Sequence, residues 1–217
     1  MSTVKKRYTL GEEIFNSVTH GVGSLLSIAG TVVLIVFSAI NSDAFAVVSS
    51  AVYGASLIIL YTMSTLYHSI TNEKAKKFFR IMDHNTIFFL IAGTYTPYTL
   101  AVLRSPLGWV LFGVVWGAAA IGIVLNSIDL EKFSKISVVC YIAMGWVIII
   151  AVKPLMNSMP FISFALLVAG GIFYTIGVIF YAIKKVKYFH SVWHIFTVIG
   201  STLHYFSVFT AIALPNA

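Results

Sequence analysis

The chain is built from apolar stretches about as long as a bilayer is thick. They lie near residues 16–39, 45–70, 81–103, 107–127, 135–154, 161–182 and 189–212. A helix needs roughly 20 apolar residues to cross the hydrocarbon core, so the pattern predicts an all-α integral membrane protein with a seven-helix transmembrane bundle. The breaks between stretches are short: NSD at 41–43, NEKAKKFF at 72–79, RSP at 104–106, DLEKFS at 129–134, PLMNSMP at 154–160 and KKVK at 184–187. None could hold a soluble domain, so residues 1–217 read as one membrane domain, with 1–15 a short cytoplasmic segment before the first span. Only 10% of the 217 residues are charged, against roughly 25% in soluble domains.

The charges orient the bundle. With seven crossings, Lys5, Lys6, Arg7, Lys74, Lys76, Lys77, Arg80, Lys132, Lys135, Lys184, Lys185 and Lys187 fall on one side, and only Arg104 and Lys153 on the other. Lys and Arg near span ends stay cytoplasmic, so the amino terminus is expected inside and the carboxyl terminus outside, in the cell membrane. Basic residues dispersed between spans are orientation signals, and nucleic acid is discounted as a partner. Lys5, Lys6 and Arg7 resemble the head of a signal peptide, but Glu12 and Glu13 interrupt the pattern and further spans follow, so the first span is expected to be retained. Cys140 lies alone in an apolar run, which leaves no intrachain disulfide and reads as a small core residue. Gly93 and Pro97 in GTYTPY predict a kink in the third span. Gly113 and Gly117 are spaced for close helix approach, either within the bundle or between chains; the oligomeric state is left open.

Ionisable groups in spans are costly and usually functional. Ser64 and His68 lie near the cytoplasmic end of the second span, Asp83 at the start of the third, and His190 and His194 at the start of the seventh. Orientation thus gathers three helices' polar groups at one depth. His190 and His194, four apart, share a helix face and can hold one ion; His68 would add a third neutral imidazole, leaving an open position as in catalytic zinc sites. His20 competes for that third place, since Glu13, Asn16 and His20 form a stripe at helical spacing where the first span begins. As bland alternatives, Ser64 serves as helix-packing glue and Asp83 as a helix-start carboxylate favoured by the dipole. His84 is rotated about 100° from Asp83 around the helix. His204 lies about 15 Å along the helix from His194, too far to share its ion, and reads as a polar contact in the outer half.

These motifs together resemble the hemolysin III branch of the progestin and adipoQ receptor family. The resemblance runs through Glu13, Asn16 and His20, the Ser-x3-His of Ser64 and His68, Asp83, GTYTPY, and the His-x3-His of His190 and His194. It implies seven helices with a cytoplasmic amino terminus, zinc held by His68, His190 and His194, and Asp83 close by through water. Glu13, Asn16 and His20 then fall in a supporting shell. The family's wider relatives include alkaline ceramidases, which implies hydrolysis of a lipid amide or ester, with a membrane lipid as substrate. In that reading Asp83 accepts the water's proton and Ser64 hydrogen-bonds the substrate carbonyl or developing oxyanion. The competing expectations are a membrane-lytic or membrane-homeostasis protein with a structural zinc site, and a proton or ion path through Asp83, His84 and His204.

Overall fold

The computed structural model describes residues 8–214, all of whose regular elements are helices. Lys5, Lys6 and Arg7, counted in the charge balance, lie outside the described residues. Helix α1 spans Leu10–Asn41, α2 Ala44–Ser69, α3 Glu73–Thr96, α4 Pro106–Trp146, α5 Val152–Ser158, α6 Phe161–Ala182 and α7 Phe189–Val208. Six helical stretches are long and apolar enough to cross a membrane, one of them the 53 residues from Pro106 to Ser158.

Helices α1 to α4 begin where polar side chains satisfy their free amides. Thr9 caps α1 in a reciprocal box: its hydroxyl accepts from Glu12 N, and Glu12 Oε2 accepts from Thr9 N at 2.8 Å. Asp43 caps α2, Asn72 caps α3 and Ser105 caps α4 with Pro106 behind it. These caps move two boundaries from where hydropathy alone put them. The first helix starts at Leu10 rather than near 16, and NEKAKKFF belongs mostly to α3, which starts at Glu73 rather than near 81.

The long fourth stretch folds back on itself. Ser137 Oγ donates to Asn126 Oδ1 at 2.6 Å, whereas residues eleven apart on one straight helix would be about 16 Å apart. The reversal is at Asp129, whose backbone is non-helical (φ −154°, ψ 92°) and whose carboxylate accepts from Lys132 N at 3.0 Å, capping the returning helix. One residue therefore does what DLEKFS was expected to do. Both arms pack on α3: a Cβ on Gly122 would strike the Phe88 ring, and Tyr141 donates to the His84 carbonyl at 2.8 Å. Beyond Trp146 the chain tightens into a 3-10 segment at Val147–Ala151, and most of the PLMNSMP break is helical in α5.

Helix α1 inverts the pattern of a water-soluble helix. Its buried positions include Glu12, Asn16, His20, Ser27 and Ser38, while Val18, Val22, Leu25, Leu26 and Val32 are exposed. An apolar outer surface over a polar inner stripe is stable only where the surrounding medium is lipid, and the chain is a multi-pass membrane protein. Polar contacts join the helices inside: Tyr61 donates to Ser201 Oγ at 2.7 Å, and Tyr174 hydrogen-bonds the same hydroxyl at 2.6 Å, tying α2, α6 and α7 together.

At Pro97 α3 widens into a π-helical turn, Pro97–Leu103. Gly93 permits the close approach of α2, since a Cβ there would collide with Ser56 Oγ. Gly113 and Gly117 behave differently from the within-bundle expectation: a Cβ at either would meet nothing within 4 Å among the described residues, so neither marks a close helix approach there. Cys140 is a free, half-buried cysteine.

Candidate metal centre

His68 stands in the last turn of α2, and His190 and His194 in the first turns of α7. Each offers one nitrogen, and these donors all lie within 4.8 Å of one another. His190 Nε2 and His194 Nε2 are 3.1 Å apart. Two imidazole nitrogens bound to one tetrahedral zinc at about 2.0–2.1 Å would be separated by about 3.3 Å, so the pair is spaced to share an ion.

The third histidine is oriented from behind. Glu13 Oε2 lies 2.6 Å from His68 Nδ1 and, as a carboxylate, accepts a hydrogen bond from its N–H. That fixes the tautomer: Nε2 carries the lone pair, and it is buried with no hydrogen-bond partner among the described residues. A carboxylate behind a histidine whose other nitrogen faces a donor cluster is the usual support of a metal ligand. Glu13 is itself held, since Lys76 Nζ lies 2.9 Å from its Oε1 and also donates to the Ile70 carbonyl at 3.3 Å. The sequence marked Lys76 only as an orientation charge, because a contact between α1 and α3 leaves no local signature.

Further buried polar atoms without partners among the described residues belong to the residues of the two sequence motifs: Ser64 Oγ, both amide atoms of Asn16, and both ring nitrogens of His20. Ser64 is one turn from His68 on α2. Leaving a buried polar group unsatisfied costs about 1–3 kcal/mol, so such groups usually mark a bound ligand, ion or water. His20 is not in the trio; its ring stacks on His194 at 3.7 Å and meets Tyr61 edge-on at 5.0 Å. Tyr8 stacks on His190 at 4.7 Å. The donor set, three imidazoles with one of them backed by a carboxylate, could hold a metal ion.

Asp83 is not one of the three donors. Its carboxylate lies 3.7 Å from His84 Nδ1, and because α3 begins at Glu73 it stands about 15 Å along that helix. The helix-start explanation for its charge is therefore lost; Glu73 holds that position. His84 is engaged at both nitrogens, by the Arg80 carbonyl at 2.9 Å and the Tyr181 hydroxyl at 3.1 Å. His204 is buried and bonds the Leu167 carbonyl through Nε2 at 3.1 Å.

A multi-pass helical membrane protein with a histidine trio, two of its members buried and His190 half-buried, is thus the class that fold and site define. A family model described as Haemolysin-III related matches residues 8–205, and the chain belongs to that family. It is 46% identical over 206 residues to Hemolysin-3 of Bacillus cereus, covering 95% of this chain and 94% of that one. It is 45% identical over 209 residues to the Hemolysin-3 homolog of Bacillus subtilis (strain 168), covering 96% and 98%. A more distant similarity, 25% identity over 206 residues, joins it to the human Monocyte to macrophage differentiation factor, covering 92% of this chain and 84% of that protein.

Proposed function

We propose that this chain is a zinc-binding seven-helix membrane hydrolase that cleaves a lipid amide or ester at the cytoplasmic side. The observation that carries the proposal is the pairing of Glu13 with His68 Nδ1, which presents His68 Nε2 to the His190 and His194 nitrogens. A support of this kind is wasted on a histidine that serves only packing.

The seventh crossing comes from dividing the Pro106–Ser158 stretch at Asp129. Seven crossings place the chain ends on opposite sides, and the charge asymmetry then puts the amino terminus inside. Single cysteines introduced at residues 3 and 216 should label from opposite faces of the membrane.

His68, His190 and His194 would hold the zinc, which when bound supplies Lewis acidity toward a carbonyl oxygen and a water. Three neutral ligands leave its double charge uncancelled, which favours a nearby carboxylate. Asp83 is proposed to accept the water's proton and return it to the leaving group. Ser64, whose buried hydroxyl one turn from His68 has no partner among the described residues, is proposed to donate to the carbonyl oxygen as negative charge develops there. The test is release of free fatty acid from a panel of lipid amides and esters by detergent-solubilised protein, with and without chelator. Chelator-sensitive turnover supports the hydrolase. Zinc without turnover favours the second reading, a structural site in a membrane-lytic or membrane-homeostasis protein, toward which the printed name of the Bacillus cereus relative points.

A further inference from the structure

His190 differs from the other two histidines of the trio. It is half-buried where they are buried, and it alone of the three lines a cavity of about 510 Å³ bordered by the α6–α7 connection and the start of α1. The charges on the cavity walls are compensated within the chain: Arg80 pairs with Glu131, Lys187 acts on the Glu12 carboxylate, and Lys184 is likewise engaged. Such a lining calls for no charged ligand. It is a polar space far larger than the roughly 10–15 Å³ that one water requires. One ring touches both this space and the donors. Tyr8 lines the cavity, stacks on the His190 ring at 4.7 Å with the planes 19° apart, and lies 5.6 Å from the His68 ring.

The first turn of α1 carries that ring to its place. Thr9 and Glu12 close the capping box, and Glu12 Oε1 accepts from Tyr188 N at 2.8 Å. Tyr188 precedes α7 in left-handed backbone (φ 62°), an uncommon conformation for a bulky residue. Its hydroxyl occupies the space that a Cβ on Gly11 would need. The first turns of α1 and α7, which carry Glu13 and His190, are thus clipped together. Capping of α7 accounts for the Glu12–Tyr188 bond, but not for an aromatic ring laid over the half-buried histidine from the cavity side. We infer that the cavity is the aqueous entrance to the histidine trio and that Tyr8 is its gate, held shut by the Glu12–Tyr188 bond. Water, and the metal ion itself, reach His190 when the ring swings away. The inference rests on the metal reading of the trio for what passes the gate, whereas the gate is a property of the chain alone.

Thiol labelling tests the gate with no metal involved, so its failure and that of the metal reading are separable. Cys140 is the single cysteine of the chain. In a Cys140→Ala background, His190→Cys and Ser134→Cys each put one thiol on the cavity wall, and purified full-length protein is treated with a hydrophilic methanethiosulfonate reagent. Ser134→Cys should label readily whether or not Tyr8 is replaced. His190→Cys should label slowly beneath Tyr8 and about tenfold faster in Tyr8→Ala, tenfold being about 1.4 kcal/mol and the size of one stacked aromatic contact. Tyr8→Phe keeps the ring and should stay slow. Glu12→Ala removes the acceptor for Tyr188 N and should quicken labelling with Tyr8 in place, which preserves the comparison should Tyr8→Ala fail to fold. In a parallel arm, zinc-loaded protein is mixed with excess chelator, and Tyr8→Ala should release its metal faster than the unaltered chain. A Ser134→Cys thiol that resists the reagent would overturn the entrance. Equal labelling of His190→Cys with and without Tyr8→Ala, or Tyr8→Phe labelling as fast as Tyr8→Ala, would overturn the gate, and an unchanged rate in Glu12→Ala would overturn the latch. Protein that takes up no zinc would remove the metal reading while the labelling rates still decide the entrance and its gate.

Discussion

Glu13 and His68, fifty-five residues apart in sequence, meet at 2.6 Å across α1 and α2. The contact decides which imidazole nitrogen faces the cluster, and so converts a histidine at a helix end into a candidate ligand. Lys76 extends it by a further contact from α3, so three helices converge behind one ring.

Glu13→Gln should weaken zinc binding by about 10- to 100-fold, the usual cost of losing an outer-shell partner, as measured by competition with a chromophoric chelator. Lys76→Met should weaken it less. The double variant should fall short of the product of the two, because both act through one chain of contacts. Multiplicative losses would mean that Lys76 acts independently of Glu13.

Asp83→Ala should keep the zinc and lose turnover by about 10²- to 10⁴-fold, the range for a general base. Paired metal analysis and fatty-acid release measure the two properties on one preparation. Loss of the metal together with the activity would make Asp83 a ligand; retention of both would remove it from the mechanism.

Close approach and open space separate two glycines of similar sequence setting. Gly93→Ala should destabilise by about 1–3 kcal/mol through overpacking against Ser56, whereas Gly113→Ala, which meets nothing among the described residues, should leave thermal unfolding in detergent unchanged. A comparable loss in both would show that Gly113 packs against a second chain.

Outside the spans, the Arg104 side chain hydrogen-bonded to Asp43 holds that carboxyl below the usual carboxylate range. The folded value being depressed, the stabilisation is present above the unfolded value of about 3.9 and is lost as pH falls through the folded one. Asp43→Asn keeps a cap for α2 and removes the charge, so the gap in melting temperature between wild type and variant should shrink as pH is lowered from about 6 to about 3. A gap that widens with acid would contradict the pairing.

Much of this was legible in the chain itself, for physical reasons that also mark the limit. Hydropathy locates apolar stretches because lipid is the solvent, but it is blind to helix that continues into water. Thr9 with Glu12, and Asn72 before Glu73, carried the capping signals that set the true starts of α1 and α3, and they were there to be read. The reversal at Asp129 was marked by its polar run, though not its single-residue sharpness. His190 and His194 announce themselves by spacing within one helix. The contacts of His68 with Glu13 and of Glu13 with Lys76 depend on how α1, α2 and α3 pack, which no local pattern encodes, and Lys76 consequently read as topology alone.

Whether His68, His190 and His194 hold one zinc is decided by elemental analysis of purified protein. Wild type should carry about one zinc per chain, as a three-histidine site requires, with little or none in His68→Ala or in His190→Ala/His194→Ala, and with His20→Ala close to wild type. Zinc-free wild type purified without chelator from zinc-supplemented cells, or full zinc in the double variant, would contradict the account.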